Sequence, residues 1–239
     1  MVISLRAIEK SFQHKQVIAP LSLEIPQGQL IGLLGPSGCG KTTLIKMIMG
    51  MMKPDNGQIY VFNKTVPHQQ LLTDIGYMAQ SDALYTDLTG EENLQFFAKL
   101  YRLPKKERTE RVAYTAQLVR LSDDLNRKVE TYSGGMKRRL SLAIALIQNP
   151  TLLLLDEPTV GIDPLLKVDI WQELLRLKNE EQKTILVTTH AMDEAEKCDQ
   201  LAMLRDGQMI AYDTPQALKA RYQAKDFDEV FIKAGGRTQ

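Results

Sequence analysis

The sequence predicts an α/β fold interrupted by a helical segment, and three observations point to it. Short β-rich runs open the chain (VISLRAIEK, QVIAPLSLEIP, QLIGLLG), and the third leads straight into the glycine-rich stretch Gly35 to Gly40 and then a helical pattern. From about Thr89 to Asn149 the periodicity is helical. The apolar run LLLLD then returns the chain to strands alternating with helices. A core over roughly 1–85 plus 150–225, a helical insertion near 86–149 and a tail over 226–239 are therefore expected.

The elements follow in order. TTLIKMIMGMM is helical and stops before Pro54, and the turn Pro54-Asp55-Asn56-Gly57 leads into the strand QIYVF. Helices are predicted from Glu91 to Leu103, ending at Pro104, from Lys105 to Leu121, and from after Ser133 to Asn149-Pro150. In the second of these, KKERTER reads as a solvated face carrying the pairs Lys106/Glu110 and Glu107/Arg111 four residues apart. After LLLLD, Asp163 is placed to cap a helix opening at Pro164. TILVTT is a strand, followed by a short helix. In LAMLRDGQMIAY the dipeptide Asp206-Gly207 separates two apolar runs, a hairpin signal. Thr214-Pro215 opens a last helix.

Composition narrows the function. Thirty basic residues face twenty-nine acidic ones, a net charge of +1, so the basic excess typical of nucleic-acid binders is missing and no nucleic-acid partner is expected. Two cysteines, Cys39 and Cys198, make no disulfide framework, which suits a reducing compartment. The opening MVISLRAIEK breaks its apolar run with Arg6, Glu9 and Lys10, so no signal peptide is expected. Leu44 to Met52 contains Lys46 and falls short of the roughly 20 apolar residues a membrane helix needs, so no direct membrane span is expected.

GPSGCGKTT, from Gly35 to Thr43, fits the phosphate-loop pattern with a strand before it and a helix after. Gly35, Gly38 and Gly40 allow the backbone to wrap close to phosphate with its N–H groups inward, around Pro36, Ser37 and Cys39. The new helix adds its positive end. Lys41 offers a point charge to the β- and γ-phosphates, Thr42 a hydroxyl to Mg²⁺, and Thr43 a bond to the α-phosphate. The methionines that follow (Met47, Met49, Met51, Met52) read as core filler. At the end of LLLLDEP, Asp156 suits the metal's coordination shell and Glu157 the attacking water, as general base.

The segment YSGGMKRRLSLA, Tyr132 to Ala143, resembles the signature of the ABC ATPase family, usually LSGGQ, with Tyr132 and Met136 replacing the leucine and glutamine. The family's other landmarks stand in order: Gln80 closing GYMAQ as the Q-loop residue, VGID (Val160 to Asp163) as the D-loop, and His190 after TILVTT as the switch histidine. Phe12 is placed like the aromatic that stacks on adenine. His14 and His68 have no such context.

The resemblance spans nearly the whole chain. It implies a single domain over 1–239: a P-loop NTPase core with an N-terminal antiparallel β subdomain and an inserted α-helical subdomain. It implies ATP and Mg²⁺ as cofactors, with Gln80 sensing the metal. Ser133, Gly134 and Gly135 would meet the ATP of a second ATPase subunit, identical or a close paralogue, Asp163 would belong to the same site, and Lys41, Glu157 and His190 would be catalytic. Ser133 can cap its helix and the two glycines leave its amides bare, where a helix end carries about +0.5 charge. Met136 removes a side-chain amide there, expected to tune affinity.

DALYTDLTGEENLQFFAKLYRL, DEPTVGIDP and TTHAMDEAEKCD resemble the daunorubicin-resistance type of drug and lipid exporter ATPases, although Thr89 to Glu92 also reads as a helix cap. The implied partner is a separate membrane permease that carries the substrate-recognition surface, with this chain at the cytoplasmic face. The long coiled coil, zinc module or tandem cassettes of DNA-repair and translation ABC ATPases are not found. A regulatory ATPase coupled to a membrane protein is the nearest alternative.

Overall fold

The computed structural model describes every residue except His14, Asp82 and 237–239, so His14 lies outside the described residues. The chain divides into two compact units, Met1–Leu71 with the segment from Thr184 onward, and Leu72–Lys183.

In the first unit, strand β1 (Ile3–Phe12) pairs antiparallel with β2 (Lys15–Ile25), from Ile3 opposite Ile25 to Phe12 opposite Lys15. On its other side β1 pairs with a strand over Asn56–Val61, labelled β4 below, to which the short β5 (Lys64–Thr65) adds. This is an antiparallel β layer, as the family resemblance implied. Strand β3 (Leu30–Leu34) has all five residues buried, the mark of a parallel strand covered on both faces. Helix α1 (Lys41–Ile48) follows it, and β4 comes next in the chain. Of the methionines predicted as filler, Met47 is fully buried, while Met51 is 60% exposed.

Later in the chain, β8 (Thr184–Thr189) and β9 (Gln200–Arg205) lie parallel to β3 on either side, with α6 (Met192–Ala195) between them in sequence. The Asp206-Gly207 turn returns β10 (Gln208–Asp213) antiparallel onto β9. Thr214 caps α7 (Pro215–Tyr222), its hydroxyl accepting from the Ala217 N–H at 3.2 Å. A further helix beyond the one expected to be last, α8 (Phe227–Ala234), follows. Asp226 caps it, accepting from the Glu229 N–H at 2.9 Å, and it buries Phe227 and Val230.

In the second unit, β6 (Ile75–Met78), not predicted as a strand, pairs parallel with β7 (Leu152–Asp156). Leu152 to Leu155 are fully buried, each contributing about 1.5–3 kcal/mol over exposure. Among its described residues the unit also holds the α-helices α2 (Gly90–Leu100), α3 (Lys105–Leu118), α4 (Gly134–Leu146) and α5 (Pro164–Glu181). A reciprocal capping box starts α2, with the Thr89 hydroxyl accepting from the Glu92 N–H and the Glu92 carboxylate from the Thr89 N–H. The helix cap read from Thr89 to Glu92 is present.

The Lys105-to-Arg111 run is exposed at most positions, with one correction. Arg111 turns inward, donating to the carbonyl oxygens of Leu146 and, at 3.1 Å, Ile147, and stacking on Tyr114. Those carbonyls end α4, where a cation offsets the negative helix end. Helices α3 and α5 are also joined by polar side chains. The Tyr114 hydroxyl donates to Glu173 and accepts from Arg176 at 2.9 Å, and Arg120 pairs with Asp169. Burial and then the hydrogen bond to Glu173 push the Tyr114 phenol up to about 12, so it remains a neutral donor.

Candidate functional site

The phosphate loop leaves the end of β3 and enters α1 at Gly40. Gly38 and Gly40 have φ of 80° and 109°, a region that side chains with a Cβ avoid. At Gly40 a Cβ would also stand 2.5 Å from Ile18 and 2.8 Å from the Val17 carbonyl oxygen, so β2 presses directly on the loop. Lys41 is 5% exposed, its ammonium donating to the carbonyl oxygens of Gly35 at 2.6 Å and Pro36 at 3.1 Å. Thr42 and Thr43 follow in the first turn of α1, while Pro36, Ser37 and Gly38 are exposed. The Cys39 side chain is buried beneath the loop, and burial raises its thiol pKa despite the opposing Lys41 charge.

Strand register brings predicted residues together in pairs. Leu34 is opposite Thr189, so Gly35 and His190 leave adjacent parallel strands side by side in the first unit. In the second unit Met78 is opposite Leu155, so Ala79-Gln80 and Asp156-Glu157 also leave adjacent strands together. The carboxyl ends of parallel strands are where α/β folds hold their ligands. Phe12, 43% exposed at the end of β1, lies in the first unit with the loop and His190.

Asp156 is 1% exposed. Burial and then its charge raise the pKa of the half-buried Tyr77 in β6, with Arg138 opposing. Glu157 adopts φ 52°, a left-handed conformation that costs a non-glycine residue about 1–2 kcal/mol. Such strain persists where the surroundings over-determine it. One residue that the sequence does not single out bonds the backbone on both sides of Glu157. Arg138, 7% exposed on α4, donates to the carbonyl oxygens of Asp156 and Glu157 (2.7 Å), and of Ala79 (2.6 Å) and Gln80 (3.0 Å).

The signature segment starts α4. Ser133 caps the helix, its hydroxyl accepting from the Met136 N–H at 3.2 Å. A Cβ added at Gly134 would meet nothing within 4 Å, and one at Gly135 only the Gly161 carbonyl oxygen at 3.1 Å. The first helical turn is therefore bare, and Gly135 lies beside the Val160-to-Asp163 loop. Tyr132, standing for the usual leucine, is 5% exposed, and its hydroxyl donates to the Asp124 carbonyl oxygen at 2.7 Å. It fills the space over Gly90, where a Cβ would be 2.3 Å from that hydroxyl. Asp163 caps α5 by accepting from the Leu166 N–H at 3.0 Å, as predicted.

Comparison with known proteins bears on the same residues. The sequence profile of a family described as "ABC transporter" matches residues 18–160, more than half of the chain. The chain belongs to the ABC transporter family. It is an ATP-binding domain of that family, an ATPase by class. It is 42% identical over 221 residues to Nod factor export ATP-binding protein I of Rhizobium johnstonii, covering 91% of this chain and 71% of that one. It is 37% identical over 240 residues to ABC transporter G family member 23 of Dictyostelium discoideum, covering 98% of this chain but 34% of that much longer protein. The chain thus spans about a third of the length of that ABC relative. Among solved structures it is similar to the post-hydrolysis dimer of the ATP-binding cassette MJ0796 bound to ADP and Pi. There the TM-score is 0.82 at 28% identity, over 89% of this chain and 98% of that one. The ABC fold expected from the resemblance, α/β with an antiparallel β layer and a set of helices bearing the signature, is the fold observed. Among the described residues no helix is long and apolar enough to cross a membrane.

Proposed function

We propose that this chain is the ATP-hydrolysing subunit of an ABC exporter, acting with a separate membrane permease and a second ATPase subunit, identical or a close paralogue. The observation that carries the reading is the cradle at the end of β3, with Gly38 and Gly40 at positive φ and Lys41 held inside it. Similarity to an export ATP-binding protein supports the direction of transport. The permease carries substrate recognition, and the chain works at the cytoplasmic face of the membrane. Residues 86–149 act as the helical subdomain of one domain over 1–239.

In this reading the amides of Gly35 to Gly40, with Pro36, Ser37 and Cys39 in the same turn, enclose the phosphates. Lys41 neutralises the β- and γ-phosphates, Thr43 bonds the α-phosphate, and Phe12 stacks on adenine. Glu157 takes the proton of the attacking water, and His190 holds that water and the γ-phosphate in register. Ser133, Gly134 and Gly135 offer a bare helix terminus to the nucleotide bound by the second subunit, with Asp163 in the adjoining loop.

Mg²⁺ suits the donor set. Asp156 offers one buried carboxylate and Thr42 a hydroxyl, both oxygen donors, and Mg²⁺ is usually held by one or two carboxylates plus substrate phosphates. Asp156 and Thr42 would hold it, with Gln80 sensing it, and it would supply charge neutralisation at the phosphates.

Cys39 gives the test. A maleimide is expected to react slowly at neutral pH, because the raised thiol pKa leaves little thiolate, and faster as pH rises. Mg-ATP is expected to protect the thiol, and the labelled chain to lose hydrolysis. Full ATPase activity after complete Cys39 labelling would contradict the reading.

A further inference from the structure

We propose that Arg138 is a positioning residue for hydrolysis, one guanidinium that sets the backbone of Gln80 and of Glu157 at the same time. The inference rests on the proposed roles of those two residues. Its ground is the pairing of the acceptors. The carbonyls of Ala79 and Gln80 belong to the two peptide planes that flank the Gln80 Cα, and both accept from the Arg138 Nη1. The carbonyls of Asp156 and Glu157 flank the Glu157 Cα in the same way, and both accept from Nη2. Fixing both planes beside a Cα fixes its φ and ψ, and with them the direction in which the side chain leaves. For Glu157 this holds the residue at φ 52°.

The two segments leave adjacent strands where the β6–β7 ladder stops, so their carbonyls need other donors. A guanidinium is planar and rigid, so its two terminal nitrogens also fix the spacing between the segments, which a lysine ammonium does not. Arg138 lies in the second turn of α4, whose cap is Ser133. Motion of the signature helix is thereby tied to the aim of Glu157. The neighbouring Arg139 provides the contrast, because it donates to the carbonyl oxygens of Val119 (3.1 Å) and Arg120 (2.9 Å) at the end of α3, away from any site residue.

The experiment compares the full wild-type chain with Arg138→Met, Arg138→Lys and Arg139→Met. It measures kcat, KM, ATP dissociation constant and amide hydrogen exchange. Arg138→Met is expected to lower kcat roughly 10- to 100-fold, the scale for misplacing a catalytic group by about 1 Å. ATP affinity should remain near that of wild type. Amides just after Met78 and just after Leu155 should exchange faster together. Arg138→Lys should show the same two effects in weaker form, and it carries the test if the Met variant does not fold. Arg139→Met should reduce stability without the fall in kcat. Folded Arg138 variants with wild-type kcat would overturn the inference, as would loosening of one segment without the other, or an equal kcat loss in Arg139→Met. A wild-type chain that binds ATP and never hydrolyses it would refute the proposed function instead, and the exchange comparison would still decide whether one clamp holds both segments.

Discussion

Replacing Glu157 by glutamine is expected to leave ATP binding intact and to lower the hydrolysis rate by roughly 10²–10⁴-fold, the contribution of a positioned general base. The substitution keeps the side chain's length and its ability to accept a hydrogen bond at one oxygen. It removes the negative charge that takes the proton. Because Glu157 stands at φ 52° with both flanking carbonyls held by Arg138, the amide should occupy the place of the carboxylate. The loss is then chemical, not structural. Single-turnover phosphate release beside an ATP-binding isotherm measures it, and near-normal release would remove Glu157 from the role of base.

The second large effect is expected at Lys41. Changing this residue, 5% exposed, to methionine keeps the stem and deletes the ammonium that is placed among the loop carbonyls. Loss of one partner from a buried charge pair costs about 2–5 kcal/mol, so ATP affinity should fall roughly 30- to 5,000-fold. The two variants therefore separate, one keeping affinity and losing turnover, the other losing affinity first. Titration calorimetry with ATP reads the difference. An unchanged dissociation constant in folded Lys41→Met would remove the lysine from phosphate binding.

The fold was most legible where a local rule decides the outcome. Asp163 before Pro164, Thr214 before Pro215 and Asp206-Gly207 between apolar runs each announce an element end, and each stands where expected. The phosphate loop was legible for the same reason, since its glycines answer a local demand on φ. Strand β6 was not, because four residues that include Gly76 carry too little periodicity and owe their conformation to pairing with β7. Helix α8 has a good cap in Asp226, but its eight residues are too few to show a sustained helical period in the sequence.

Arg138 was hidden for a different reason. In Lys137-Arg138-Arg139 nothing local distinguishes the residue that turns into the strand ends from the one that closes α3, and only tertiary structure does so. Arg111 misled in the same way. Its spacing from Glu107 suggested an ion pair on a solvated face, but carbonyls at the end of α4 receive it. The Tyr132 departure from the signature has its explanation in the cover the ring provides over Gly90, which no rule of sequence spacing supplies.

The central claim is that ATP binding completes a composite site shared by two ATPase subunits. Its most direct test is the mass of Glu157→Gln in solution, by light scattering behind a sizing column, with and without Mg-ATP. The 27.0 kDa chain alone is expected to become a species of twice that mass when ATP is present, because binding persists and hydrolysis no longer reopens the pair. A folded chain that binds no ATP and stays at 27.0 kDa would contradict it.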